Sequence, residues 1–270
     1  MSNLFVMASV DVDRFDRQRR VNGWNQEAVG KSKVLVVGAG ALGNEVVKNL
    51  LQLGVERIAL VDYDEVVEAN LNRCVFFSPK DAKEKRKKAV VLSQKAREFF
   101  PLSRVEPILK RVEHLPEDFF GELDFAFGCL DNLGARLHLN SHTYGKTPLI
   151  DGGTAGFMGK VQVVRSPSSC LECSVTKRDY NLLWKRYSCV GDLLDFLNPK
   201  MPALSTTTSV VASIQVNEFL KELHKAGELN AEGQVEEELI GKYLFFNGLN
   251  NQSRVFVVPK RKGCPVHLVE

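Results

Sequence analysis

A mainly parallel, doubly wound α/β sheet is what the sequence predicts, on three observations. Strand-like segments fall near 33–37, 57–61, 105–109, 123–128 and 147–150. Helical segments near 42–53, 85–99 and 132–144 alternate with them, the pattern of strands joined by crossover helices. The third observation is the run KVLVVGAGALGNEVVKNLLQLGVERIALVD at 33–62, which reads as apolar strand, glycine turn, amphipathic helix and a second strand ending on an aspartate.

That βαβ unit carries a GxGxxG turn, a Rossmann-like nucleotide turn. Gly38, Gly40 and Gly43 stand where backbone must approach a phosphate closely, and Asp62 stands about 20 residues on, where a ribose hydroxyl is met. The turn alone leaves a nicotinamide dehydrogenase open as a reading. Asn70-Leu71-Asn72-Arg73, just after the second strand, has no particular use in a dehydrogenase, whereas a nucleoside triphosphate would use an amide on its ribose and a guanidinium on its phosphates.

The segment Asp62-Tyr63-Asp64-Glu65-Val66 through Arg73 resembles the DxDxVxxxNLNR motif of the adenylating domain shared by ubiquitin-activating enzymes and the sulfur-carrier adenylyltransferases MoeB and ThiF. An ordered series of further motifs resembles the same family, over about residues 14–267. Arg14-Phe15-Asp16-Arg17-Gln18 is similar to RYxRQ, in which the second arginine reaches the partner subunit's nucleotide; the resemblance assigns this to Arg17. A solvated charged helix is the alternative for residues 14–20. Leu130-Asp131-Asn132 with Ala135-Arg136 and Asn140 is similar to LDN…ARxxxN, and implies that Asp131 holds magnesium, where an isolated strand-end aspartate would otherwise read as a helix cap. Pro148 to Thr154 is closer to the eukaryotic-type activating enzymes than to the sulfur-carrier branch. Met201-Pro202-Ala203-Leu204-Ser205-Thr206-Thr207 resembles the family's entry into a core helix, expected over 208–224.

The resemblance implies one lysine on the triphosphate. Lys88 is favoured within Lys83-Glu84-Lys85-Arg86-Lys87-Lys88, with Lys87 and Lys85 as alternatives and a solvated helix face as the plain reading of the run. ATP and Mg²⁺ are thus expected on Gly38, Gly40, Gly43, Asp62, Asp64, Asn70, Arg73, Lys88 and Asp131. Cys74 stands where the family generally has glutamine.

Length and composition agree with one compact enzyme: 270 residues, 44% of them hydrophobic, and no stretch of about 18 apolar residues to span a membrane. A net charge of +3, evenly spread, gives no reason to expect a nucleic-acid partner. Residues 1–13 lack the basic start and apolar block of a signal peptide, so a cytoplasmic protein is expected.

Six cysteines in a cytoplasmic chain read as ligands or nucleophiles rather than disulfides. Cys170-Leu171-Glu172-Cys173 is a CxxC pair, and Cys264-Pro265-Val266-His267 repeats the spacing. Together they suit a closed, structural zinc site; two separately buried pairs are the alternative. His267 departs from the family's usual cysteine. Cys189 lies in the interval that holds the nucleophile of ubiquitin-activating enzymes, beside Lys185 and Arg186, which would favour its thiolate. Cys189-Val190-Gly191 is not the family's usual wording, and a packed small side chain is the alternative reading, favoured for Cys74 and Cys129.

The expected organisation is an adenylation core over 14–167, a small zinc-knuckle and cysteine insertion over 168–203, and the rest of the core with the second half of the zinc site over 204–270. Late strands are expected near 242–247 and 254–258, and a polar loop over 227–238. By resemblance, a carboxylate at the C-terminal Gly-Gly of a ubiquitin-like β-grasp protein is adenylated, passed to Cys189 as a thioester and handed to a conjugating enzyme. Arg17 acting across an interface implies a homodimer. The sequence ends three residues after His267, so the ubiquitin-fold domain of larger relatives is not expected and partner docking would use another surface. Two alternatives keep the fold: a sulfur-carrier adenylyltransferase without a thioester, and an inactive scaffold partner of a heterodimeric activating enzyme.

Overall fold

The computed structural model describes residues 13–181, 202–224 and 239–269. Eight strands form one sheet in the order β3-β2-β1-β4-β5-β6-β7-β8. They are β1 (Lys33–Val37), β2 (Arg57–Val61), β3 (Arg104–Ile108), β4 (Phe125–Gly128), β5 (Leu149–Ala155), β6 (Met158–Val164), β7 (Lys242–Asn247) and β8 (Gln252–Val257). The first five are parallel, and β6 to β8 complete the sheet as antiparallel neighbours.

The apolar run of β1 follows from its burial on both faces. Val34 and Val36 enter one core layer with Val47, Leu50, Phe127 and Phe219; Leu35 and Val37 enter the other with Ala126, Leu139 and Leu149. Period-two alternation sends successive side chains to opposite layers, so a central strand needs apolar residues throughout. The first layer lies under α3 (Ala41–Leu53) and the long helix Ser205–His224, here α7, whose Phe219 meets Phe125 edge to face at 4.9 Å. The second lies under α6 (Leu133–Thr143). No helix among the described residues is long and apolar enough to cross a membrane.

Two departures from expectation have local causes. The helix expected over 85–99 starts three residues later, as α5 (Lys88–Phe99), and is preceded by a short helix that was not expected, α4 (Pro79–Lys83). Ser78 and Asp81 form a capping box, buried Asp81 draws the Arg86 guanidinium to 2.6 Å, and Lys85 turns to φ 50° between them. α5 then starts where the Lys88 amide meets the Asp64 carbonyl at 3.0 Å. α7 begins earlier than expected, at Ser205, after Ala203 bridges to Gly156. The loop expected over 227–238 lies outside the described residues.

Candidate nucleotide site and metal cluster

The strand order reverses between β1 and β4, and the crevice outside their carboxyl ends is where such sheets bind ligands. The three glycines of the turn there differ in what they do. Gly38 has φ 100°, and a Cβ on it would lie 2.5 Å from the Cys129 carbonyl oxygen. A Cβ on Gly43 would lie 1.8 Å from the Gly38 carbonyl oxygen, so this residue sets how closely α3 packs on the turn. Gly40 has no atom within 4 Å of its Cβ position. Two glycines therefore close the turn on its own scaffold, and the third leaves space at the N-terminus of α3, where free N–H groups favour an anion.

Asp62 and Asp64 follow β2. Asp62 Oδ2 accepts from the Ala39 N–H of the turn at 2.7 Å, and its Oδ1 from the Asp64 N–H at 2.8 Å. Burial pushes the Asp62 carboxyl up, with Lys88 acting against it. Lys88 donates to Asp64 Oδ2 at 2.8 Å; burial alone would lower its pKa, but Asp62 and Asp64 outweigh it and the net shift is upward. Of the three candidate lysines, Lys87 instead donates to the Tyr63 carbonyl and pairs with Glu65, and Lys85 occupies the left-handed turn.

Asn70 is buried, its Oδ1 accepting from the Val67 N–H at 3.0 Å. Arg73 is half-buried and folds onto the Ala69 carbonyl and Asn72 Oδ1. Asp131 is exposed, and α6 is capped not by it but by its neighbour Asn132, whose Oδ1 accepts from the Ala135 N–H at 2.8 Å. Strand order puts the Asp62–Lys88 group on one side of the glycine turn and Asp131 on the other.

Arg17 lies in the short helix α1 (Asp16–Arg19) at the far end of α3 from the turn: Gln18 donates to the Leu53 carbonyl at 2.9 Å, and Phe15 packs at Gly54. The thirteen residues of α3 separate them by about 20 Å. Arg17 therefore stands away from its own chain's turn.

Sequence reasoning did not single out a buried ion pair beside this crevice. Arg136 of α6 clasps Asp151 of β5 through Nε at 3.1 Å and through Nη2, and Asp151 is 1% exposed. The carboxylate raises the Arg136 pKa against the cost of burial. Gly128 makes room, since a Cβ there would lie 2.5 Å from Asp151 Oδ1. Gln215 of α7 donates to the Gly128 and Ile150 carbonyls, joining β4 to β5.

One turn further along α6, where Asn140 accepts from the Leu171 N–H, Cys170, Cys173, Cys264 and His267 gather, with ligand atoms all within 4.8 Å of one another. Sγ atoms of Cys170 and Cys173 are 3.9 Å apart, those of Cys170 and Cys264 3.7 Å, and His267 Nε2 is 3.8 Å from Cys173 Sγ. A tetrahedral zinc with bonds of about 2.3 Å sets sulfurs about 3.8 Å apart, so the set fits that ion with no position left open. The Arg261 amide donates to Cys173 Sγ at 3.4 Å, and the His267 ring lies 4.8 Å from that of Tyr144. Burial pushes the Cys170 thiol up to about 12 in the metal-free set, with the Asn140 amide acting in the other direction.

Cys74 and Cys129 are buried, and burial pushes both thiols up, Cys74 to about 11, as suits packed side chains. Cys189 lies outside the described residues.

A model of the ThiF family matches residues 15–266, nearly the whole chain. The chain belongs to the ThiF family. Among curated proteins, this ThiF-family chain is 35% identical over 148 residues to "Ubiquitin-activating enzyme E1-like" of Saccharomyces cerevisiae, covering 53% of the chain and 23% of that protein. It is 36% identical over 164 residues to "Ubiquitin-like modifier-activating enzyme 1" of Homo sapiens, covering 56% and 15%. The matches thus span less than a quarter of those relatives' lengths. Among solved structures, E. coli MccB superposes with TM-score 0.75 at 19% identity, over 97% of this chain and 75% of that one.

Proposed function

We propose that the chain activates a ubiquitin-like modifier by adenylating its C-terminal carboxylate and then holding the acyl group as a thioester on Cys189. The observation that carries the first step is the open space at Gly40, flanked by Lys88 with Asp62 and Asp64 on one side and by exposed Asp131 on the other. The relatives named as ubiquitin-activating enzymes support the substrate class, and E. coli MccB has been crystallised with ATP.

The triphosphate lies against Gly40, with Asp62 and Asn70 at the ribose and Lys88 and Arg73 on the phosphates; Arg73 must leave the Ala69 carbonyl to reach them. Asp131 would hold magnesium, with Asp64 keeping Lys88 in place, and the ion would supply charge neutralisation on the leaving pyrophosphate. The modifier's carboxylate is ionised at neutral pH and needs no general base. One of its oxygens bonds to the α-phosphorus as the bond to the β-phosphate oxygen breaks. Arg17 of a second copy offsets the charge that develops, which makes a homodimer the working unit. The Cys189 thiolate then attacks the acyl carbon and AMP leaves. Residues 14–167 and 204–270 form the adenylation core and 168–203 the zinc and cysteine insertion. The setting is cytoplasmic, where thiols stay reduced, and the thioester is consumed by a conjugating enzyme.

The test combines the protein, ATP, Mg²⁺ and a modifier ending in Gly-Gly. Pyrophosphate exchange together with a reductant-sensitive adduct that Cys189→Ala abolishes supports the proposal. Exchange without an adduct replaces it with the sulfur-carrier reading, in which the reaction stops at the adenylate. Neither, with several modifiers tried, refutes it.

The glycine turn gives a paired expectation. Gly40→Ala should leave the melting temperature within about 2 °C while weakening ATP at least about tenfold, because its Cβ occupies only the ligand's space. Gly43→Ala should instead lose about 3 kcal/mol by overpacking α3 on the Gly38 carbonyl. Differential scanning calorimetry and ATP titration of both variants check the contrast.

A further inference from the structure

We infer that Arg261 is a positioning residue that ties the metal-ligand loop to residues 175–181, the lead-in to the segment bearing Cys189. One residue makes three separate attachments. Its backbone N–H donates to the ligand sulfur of Cys173 at 3.4 Å. Its Nη1 donates to the Val175 carbonyl at 2.7 Å and its Nη2 to the Tyr180 hydroxyl at 3.2 Å. Tyr180 in turn donates to Glu172, a buried carboxylate between the two ligands of the first pair.

The attachments span 81 to 88 residues of sequence, so they join the chain leaving the first ligand pair to the chain entering the second. Four metal ligands fix Cys170, Cys173, Cys264 and His267 but nothing beyond Cys173. Past that point the chain is held by a short turn: the Val175 amide on the Glu172 carbonyl, the Thr176 amide on Asp179, and the Tyr180 amide on the Thr176 carbonyl. The guanidinium reaches both ends of this turn at once, which its planar fork permits and a lysine ammonium does not reproduce. Arg261 thereby extends the rigidity of the metal cluster toward the chain that carries Cys189. The consequence for the second reaction step rests on the proposed function; the consequence for order in 175–181 does not.

The experiment uses the zinc-loaded full chain and its Arg261→Met, Arg261→Lys and Tyr180→Phe variants. Each is measured for zinc content, for hydrogen exchange of the Val175, Thr176 and Tyr180 amides, and for rates of pyrophosphate exchange and thioester formation. Arg261→Met and Tyr180→Phe are expected to keep one zinc per chain and to raise amide exchange at least about tenfold, an opening free energy lower by about 1.4 kcal/mol. Arg261→Lys should recover part of the protection. Thioester formation should slow about tenfold with pyrophosphate exchange unchanged, a split that general destabilisation does not produce. Unchanged amide exchange in both Arg261→Met and Tyr180→Phe overturns the inference. So does faster amide exchange that only follows zinc loss, or faster amide exchange with thioester formation unaffected. Tyr180→Phe removes one hydroxyl and carries the test should Arg261→Met fail to fold. Should the wild type form no thioester, the proposed function fails at its second step while the amide data still decide the positioning role.

Discussion

Replacing Cys264 with serine, or withdrawing zinc with a strong chelator, is expected to lower the melting temperature by about 10 °C. A site saturated at a thousand times its dissociation constant stabilises the folded chain by about 4 kcal/mol, and a domain of this size shifts by about 2–4 °C per kcal/mol. Cys264 is fully buried with its sulfur 3.7 Å from that of Cys170, so serine substitution removes one ligand and disturbs the core layer that holds both. The pH dependence has a definite sign. In the metal-free set burial pushes Cys170 up to about 12, so at neutral pH that thiol is protonated and binding must release its proton. Affinity therefore falls as pH falls, and zinc release should be complete at a lower chelator concentration at pH 6 than at pH 8. A purified chain with no zinc that melts identically with and without chelator would refute the site.

Arg136→Met should be the most destabilising single change near the crevice. It leaves the Asp151 carboxylate, 1% exposed, without the guanidinium that clasps it, and an uncompensated buried charge costs about 3–5 kcal/mol. Lys160, whose pKa burial lowers with Asp151 acting against it, lies 4.3 Å from the centre of the Tyr243 ring. The double variant Arg136→Met, Asp151→Leu should regain most of the loss, since removing both charges removes the desolvation penalty along with the pair. Urea unfolding of the single and double variants measures both quantities. A single variant that loses less than about 1 kcal/mol would show the pair to be solvated.

The central parallel strands were legible because a strand buried on both faces is apolar at nearly every position. Lys33–Val37 and Arg57–Val61 stand at their expected limits. The Cys170–Cys173–Cys264–His267 cluster was legible for a related reason: the spacing within each pair is local, even though the pairs are 94 residues apart. What stayed hidden depends on partners distant in sequence. The basic run 83–88 reads as one helix face, yet Arg86 is held by Asp81 and the start of α5 by Asp64, and neither contact leaves a periodic trace. Arg136 and Asp151 meet only because α6 lies over the ends of β4 and β5. The glycine turn was read as uniformly phosphate-facing, whereas packing assigns Gly38 and Gly43 to the turn itself and leaves Gly40 for a ligand.

A metal gripping Cys170 and Cys264 would close a covalent ring of the intervening chain, enclosing Cys189, α7 and the last two strands. Such a staple shrinks the unfolded ensemble as a disulfide does, and for a ring near this size the entropic gain approaches about 4.7 kcal/mol. A protease nick inside the ring should then leave two fragments joined by the ion as well as by the sheet, so that taking the ion away lowers the denaturant concentration at which they part.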